Sequence, residues 1–212
     1  MKIVACVYEE SGKESMIPVL RRQIRAPEEI LVCGWGVEDR CTYDNTVYMG
    51  KEEDGACPMA ALLRCAFERW ERMESKERDV CFLFVGDCVL RKDATDYLRK
   101  TYVPGRVATF SGMNPYLIRN TYTRCLDPSE CVLLSSKFMR MNEDKKDRLI
   151  QWIKDCQGSK GVALGYWCAK AYIPAVYIGA TVQYCTPSSR PPHQDIEAAG
   201  DFISSMETDI VV

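Results

Sequence analysis

The stretch Phe82-Leu83-Phe84-Val85-Gly86-Asp87-Cys88-Val89-Leu90, followed directly by Arg91-Lys92-Asp93, decides the fold class. An apolar run of strand length, rich in Val and Phe, is the pattern of a parallel strand covered on both faces. One acid interrupts it. A carboxylate taken out of water is costly unless something cationic meets it. Open α/β sheets bind ligands outside the carboxyl ends of their strands, so Asp87 at a strand exit reads as a group facing a ligand or a metal. Gly86 beside it leaves room for close approach to the backbone. The plainer alternative is a strand-to-turn junction with a solvated Asp87.

Working outward, strands and helices alternate. Residues 2–8 read as a strand, and residues 13–25 carry Met16, Ile17, Leu20 and Ile24 at helical spacing. Ala26-Pro27 ends that helix, because the residue before proline avoids the α region. Strands follow at 29–35 and 46–49. Residues 57–74 form the clearest helix, with Met59, Leu62, Leu63, Ala66, Phe67 and Trp70 on one face. Residues 79–90 read as one strand and 93–102 as a helix. Two further strands, 106–110 and 130–140, are joined by a loop holding Gly112, Pro115 and Pro128. A helix over 142–156 closes at Gly158, a short helix covers 161–171, and a strand runs 175–184. A loop at 187–192 then leads to His193. Alternation of this kind implies βαβ units and a mostly parallel sheet, becoming mixed after residue 110.

Composition bounds the function. With 28 basic and 30 acidic residues the net charge is −2, so no bulk attraction to nucleic acid or an anionic membrane is expected. No apolar run reaches the roughly 18 residues of a membrane span, and the N-terminal run is too short for a signal peptide. The twelve cysteines sit mostly inside apolar runs, without a CxxC pair and with a single histidine. That pattern argues against a structural zinc site and for reduced thiols in a cytoplasmic protein. The apolar end Asp209-Ile210-Val211-Val212 reads as a domain cut from a longer chain or as an edge strand. No dinucleotide fingerprint follows the first strand, no Walker loop occurs, and no GxSxG elbow exists.

Three signals occur in an order that resembles GT-A-fold glycosyltransferases. Leu20 to Val32, with Gln23, Pro27 and Glu29, resembles a helix ending in Gln, a Pro-x-Glu turn and a hydrophobic strand. Gly55 to Ala66 is similar to the next element, a small-residue helix carrying an Arg, here Arg64. Phe82 to Ala94 is similar to the strand and turn that hold an Asp-x-Asp motif. Val176 to Tyr184 resembles a late strand, after which a histidine often completes a metal site. At whole-chain scale the sequence resembles the N-terminal glycosyltransferase domain encoded by chloroviruses. It departs from the pattern in three places. Gly86-Asp87-Cys88 keeps one carboxylate of the motif, the second strand ends in Cys33-Gly34-Trp35 rather than in Asp, and Lys160-Gly161 replaces an acidic pair.

The resemblance implies a GT-A-like three-layer α/β/α sandwich with a central mixed, mostly parallel sheet. Residues 1–212 would form one domain, 1–100 binding the nucleotide and 101–212 the acceptor. It implies transfer of a hexose or deoxyhexose from a UDP-sugar to a glycan acceptor, with Mn²⁺ or Mg²⁺ held by Asp87 and His193. Such an ion neutralises the leaving diphosphate and needs hard oxygen ligands. Tyr8 and Trp35 would flank the base, and Arg64 would approach the phosphates. Plain packing explains Tyr8 and Trp35 more simply, and a surface arginine covering Trp70 explains Arg64 equally well. For proton transfer or transient attack on the sugar, Asp155 is the first candidate and Asp144 the second; Tyr166, Trp167 and Tyr172 form an aromatic group suited to an acceptor sugar. Two other readings stand beside this one: a noncatalytic nucleotide- or sugar-binding module, and a cysteine-based hydrolase.

Overall fold

Two apolar faces of one sheet, each covered by helices, organise the chain. The computed structural model describes residues 1–9, 15–34, 41–49, 57–85, 88–101, 108–110, 114–118, 121–125, 131–156, 163–164, 167–168, 171, 175–177 and 185–187. The first strand, β1 (Lys2–Glu9), pairs in parallel with β2 (Glu29–Gly34) on one side and β5 (Val80–Val85) on the other. Beyond β2 lie β4 (Thr46–Tyr48), parallel, and β3 (Cys41–Tyr43), antiparallel. Beyond β5 come β10 (Val132–Ser135), β7 (Ala108–Phe110) and β11 (Ala175–Tyr177), giving the order β11-β7-β10-β5-β1-β2-β4-β3. Only β3 and β10 oppose the common direction. The sheet is mixed and mostly parallel, as the sequence predicts, but the mixing begins with β3, before residue 110.

Alternation along the strands builds two cores. Ile3, Ala5 and Val7 of β1, with Ile30 and Val32 of β2 and Leu83 of β5, face α1 (Ile17–Arg21) and α3 (Ala94–Thr101). Val4 and Cys6, with Leu31 and with Phe82 and Phe84, face α2 (Pro58–Arg72), α4 (Ser136–Asn142) and α5 (Lys146–Asp155). These are the three expected layers. In α2 the predicted stripe is buried from Leu62 through Trp70, and Met59 packs half-buried against it. No described helix is long and apolar enough to cross a membrane.

Several element boundaries differ from the sequence reading. The run 79–90 is not one strand: β5 ends at Val85, and β6 (Cys88–Leu90) pairs antiparallel with β12 (Cys185–Pro187) in a separate two-stranded sheet. The proposed strand 130–140 stops at Ser135, whose Oγ accepts a hydrogen bond from Phe138 N at 3.3 Å and so caps α4. The first helix is short, and Ile24 is 74% exposed rather than core-facing. The interval read as a loop around Pro115 contains a hairpin of β8 (Asn114–Ile118) and β9 (Thr121–Cys125).

Gln23 and the turn that follows it have a structural job. Gln23 is buried, and its side-chain oxygen accepts from Thr95 N at 3.4 Å at the start of α3. Arg99, at the far end of α3, donates to the carbonyls of Arg25 (2.8 Å) and Ala26 (3.1 Å) and to the Glu28 carboxylate (2.8 Å). Glu28 also accepts from Ile3 N at 2.6 Å. One turn thereby ties β1 to α3.

Candidate active site at the strand-exit rim

Parallel register brings four strand ends together. Glu9 stands beside Gly34, Val7 beside Val85, and Val32 beside Tyr48. The carboxyl ends of β1, β2, β4 and β5 therefore share one rim, the edge at which open α/β sheets take ligands.

Helix α2 starts at that rim. Its lower end is fixed by Arg69, whose Nε donates to both Glu29 oxygens (2.8 and 3.0 Å) at the first residue of β2. Twelve residues separate Arg69 from Cys57, about 18 Å of helix. Glu29 to Gly34 spans about 17 Å of strand. Cys57, the N-cap residue, thus sits level with Gly34. No side chain caps this terminus, Pro58 opens the helix, and the first turn holds no acid. Its amide ends and dipole favour negative charge there.

The expected residues divide. Tyr8 lies at the rim, with its half-buried ring packed on the α2-side core. Its neighbour Glu9, which the sequence reading does not single out, is a carboxylate on the rim and accepts a hydrogen bond from Ser15 Oγ, which in turn accepts from Ile17 N (3.2 Å). The signal for it is its place as the last residue of the first strand. Arg64 sits about 10 Å down α2 from the N-cap and is half-buried. Asp87, Trp35, His193, Tyr166 and Tyr172 lie outside the described residues. Among the described residues no three His, Cys, Asp or Glu side chains cluster to hold a metal, and Glu9 alone supplies fewer oxygens than a hard cation requires. Asp93, from the motif turn, is committed to a bidentate pair with Arg91 (2.7 and 2.6 Å).

The two carboxylates offered for catalysis are far apart. Lys146, at the start of α5, pairs with Glu71 near the lower end of α2. Asp155 is nine residues further on, about 13 Å up the helix toward the rim. It is exposed, and Gln151 Nε2 donates to its Oδ1 at 2.7 Å. Asp144 belongs to the 3₁₀ turn Glu143–Lys145, beside the Arg78–Glu143 pair (3.7 Å) at the opposite end of the sheet. That position removes Asp144 as a group for rim chemistry.

The thiols fit a packing role. Burial pushes the Cys168 thiol up to about 12 and raises Cys6 well above the usual thiol value, with Cys65 and Glu29 adding to the shift at Cys6. A thiolate is the reactive form, so neither cysteine serves a hydrolase as nucleophile.

No family model matches the chain, and no curated protein matches it. Among solved structures it is similar to 2-C-methyl-D-erythritol 4-phosphate cytidylyltransferase from Francisella tularensis, at 14% identity and a TM-score of 0.47, over 84% of this chain and 89% of that one. The enzyme of the same name from Thermus thermophilus matches at 10% identity and 0.43, over 95% and 98%. The fold assignment rests on the strand order and register above.

Proposed function

We propose that the strand-exit rim binds a nucleoside-diphosphate sugar, and that the protein is a GT-A-type glycosyltransferase moving a hexose or deoxyhexose from a UDP-sugar to a glycan. One observation carries this reading: four parallel strands end at one rim, where the uncapped, acid-free N-terminus of α2 stands level with Gly34 and the Tyr8 ring packs on the α2-side core. A rim of that kind suits an aromatic base joined to a diphosphate. In the proposal Tyr8 and Trp35 flank the uracil, while the α2 terminus and Arg64 meet the phosphates. Asp87 and His193 are the residues proposed to meet a divalent cation, Mn²⁺ or Mg²⁺, which would neutralise charge on the leaving diphosphate. Asp155 takes the proton of the acceptor hydroxyl.

The test is release of UDP from a panel of UDP-sugars with Mn²⁺ and mixed glycan acceptors. Asp155→Asn should lower turnover by about 10²- to 10⁴-fold with KM little changed, the range for a lost general base. Turnover unaffected by Asp155→Asn removes that residue from the chemistry. Binding of UDP without turnover of any sugar reduces the protein to a noncatalytic nucleotide-binding module.

A further inference from the structure

A groove of about 210 Å³ lies along the outer side of α5, lined by Lys145, Arg148, Trp152, Trp167 and Ala171. Lys145, Arg148 and Trp152 follow one another at spacings of three and four, so they share one helix face. Trp167 comes from the next helical segment, in which Ala171 N donates to Trp167 O at 2.9 Å. Both indole N–H groups point away from the groove: Trp152 Nε1 donates to Ala163 O (3.2 Å) and Trp167 Nε1 to Asn142 Oδ1 (3.0 Å). The rings therefore offer carbon faces. Their centroids are 6.4 Å apart and their planes are tilted by 52°.

We propose that this groove binds one carboxylate-bearing pyranose unit of a glycan chain. The choice of a glycan rests on the glycosyltransferase reading above; the groove's own shape and charge carry the rest. Tilted walls cannot sandwich a flat base between parallel faces, whereas a puckered sugar ring presents C–H groups to both. The volume falls below the roughly 300 Å³ at which drug-sized pockets begin, so it takes a single ring. Among the described residues Lys145 and Arg148 have no acidic partner and no acid lines the groove, which makes it complementary to an anion. Lys145 adjoins Lys146, which pairs with Glu71. The groove thus begins at the end of the sheet opposite the rim and is a separate site that would hold the acceptor chain.

Tryptophan fluorescence titration at low salt tests this, with tetragalacturonate as probe, maltotetraose as neutral control and polyglutamate as the competing class. Tetragalacturonate should give a saturable change, weakened at least tenfold in the Lys145→Gln/Arg148→Gln double variant and lost in Trp152→Ala. No saturable change overturns the proposal. So does an equal response to maltotetraose or to polyglutamate, or an undiminished affinity in the double variant. The double variant should keep its thermal response to UDP, so failure at the groove and failure at the rim are told apart.

Discussion

Gly34 stands directly beside Glu9 in the β1–β2 register with a φ of +136°, and a Cβ at Gly34 would fall 2.0 Å from the Glu9 carbonyl oxygen. The family resemblance marks this position as a departure, because an Asp is expected near it. Steric fact explains the glycine: the two strand ends converge and leave no room for a side chain. Gly34→Ala should lower stability by about 2 kcal/mol or more, combining backbone strain with a contact that only main-chain movement can relieve. Urea denaturation checks it; a midpoint equal to that of the parent contradicts the convergence.

Glu28 supplies a pH-dependent tie. Burial by itself would raise its carboxyl, but the Ile3 N–H and the Arg99 guanidinium outweigh burial and hold it below the usual carboxylate range. A depressed folded-state value means this stability is present above the ordinary Glu value, about 4.3. It is lost as pH falls through the folded-state value. Glu28→Gln should therefore be less stable than the parent at pH 7 and lose less stability on acidification to pH 3. Urea midpoints at the two pH values measure this. An equal drop for both proteins counts against it.

Asn142 is buried and works in two directions, its Nδ2 donating to Phe138 O (2.9 Å) while its Oδ1 accepts from Trp167. Asn142→Ala strands the indole N–H, at a cost of about 1–3 kcal/mol. The same change should release Trp167 and alter its emission. An unchanged midpoint and spectrum would show that the bond contributes nothing.

Trp70 is fully buried, and its Nε1 has no hydrogen-bond partner among the described residues. The Arg78 guanidinium lies 5.0 Å from the centre of its ring. Trp70→Phe removes an unsatisfied donor along with some volume, so it should cost less than about 1.5 kcal/mol. Trp70→Ala should cost about 3–5 kcal/mol through the cavity it leaves. Similar losses for the two variants, measured by urea denaturation, would show that the N–H matters.

The central sheet and α2 are legible in the sequence for a simple reason. Phe82 to Val85 has no polar residue to set an alternation, which only a strand covered on both faces allows, and α2 repeats its apolar stripe over four turns. What is not legible is pairing across long separations. Leu90 pairs with Cys185, and nothing near Leu90 announces a partner so distant. Phe138 and Met139 look like strand because adjacent apolar residues fit either state; the capping hydroxyl of Ser135 decides for helix. At the site, Asp144 falls in the charged run 142–148 and Asp155 beyond it, and it takes the course of α5 from its Lys146–Glu71 end to set the two at different levels of the sheet. Glu9 escapes a sequence reading because the apolar run before it points toward the core.

Thermal unfolding with UDP and Mn²⁺ tests the central claim most directly. At about 100 times Kd, ligand binding to the folded state adds about 2.7 kcal/mol, so Tm should rise by several degrees. The rise should shrink when a chelator removes the metal, and in Asp87→Asn. An unchanged Tm with UDP and Mn²⁺, or a rise of equal size in Asp87→Asn, would contradict a nucleotide-sugar site at this rim.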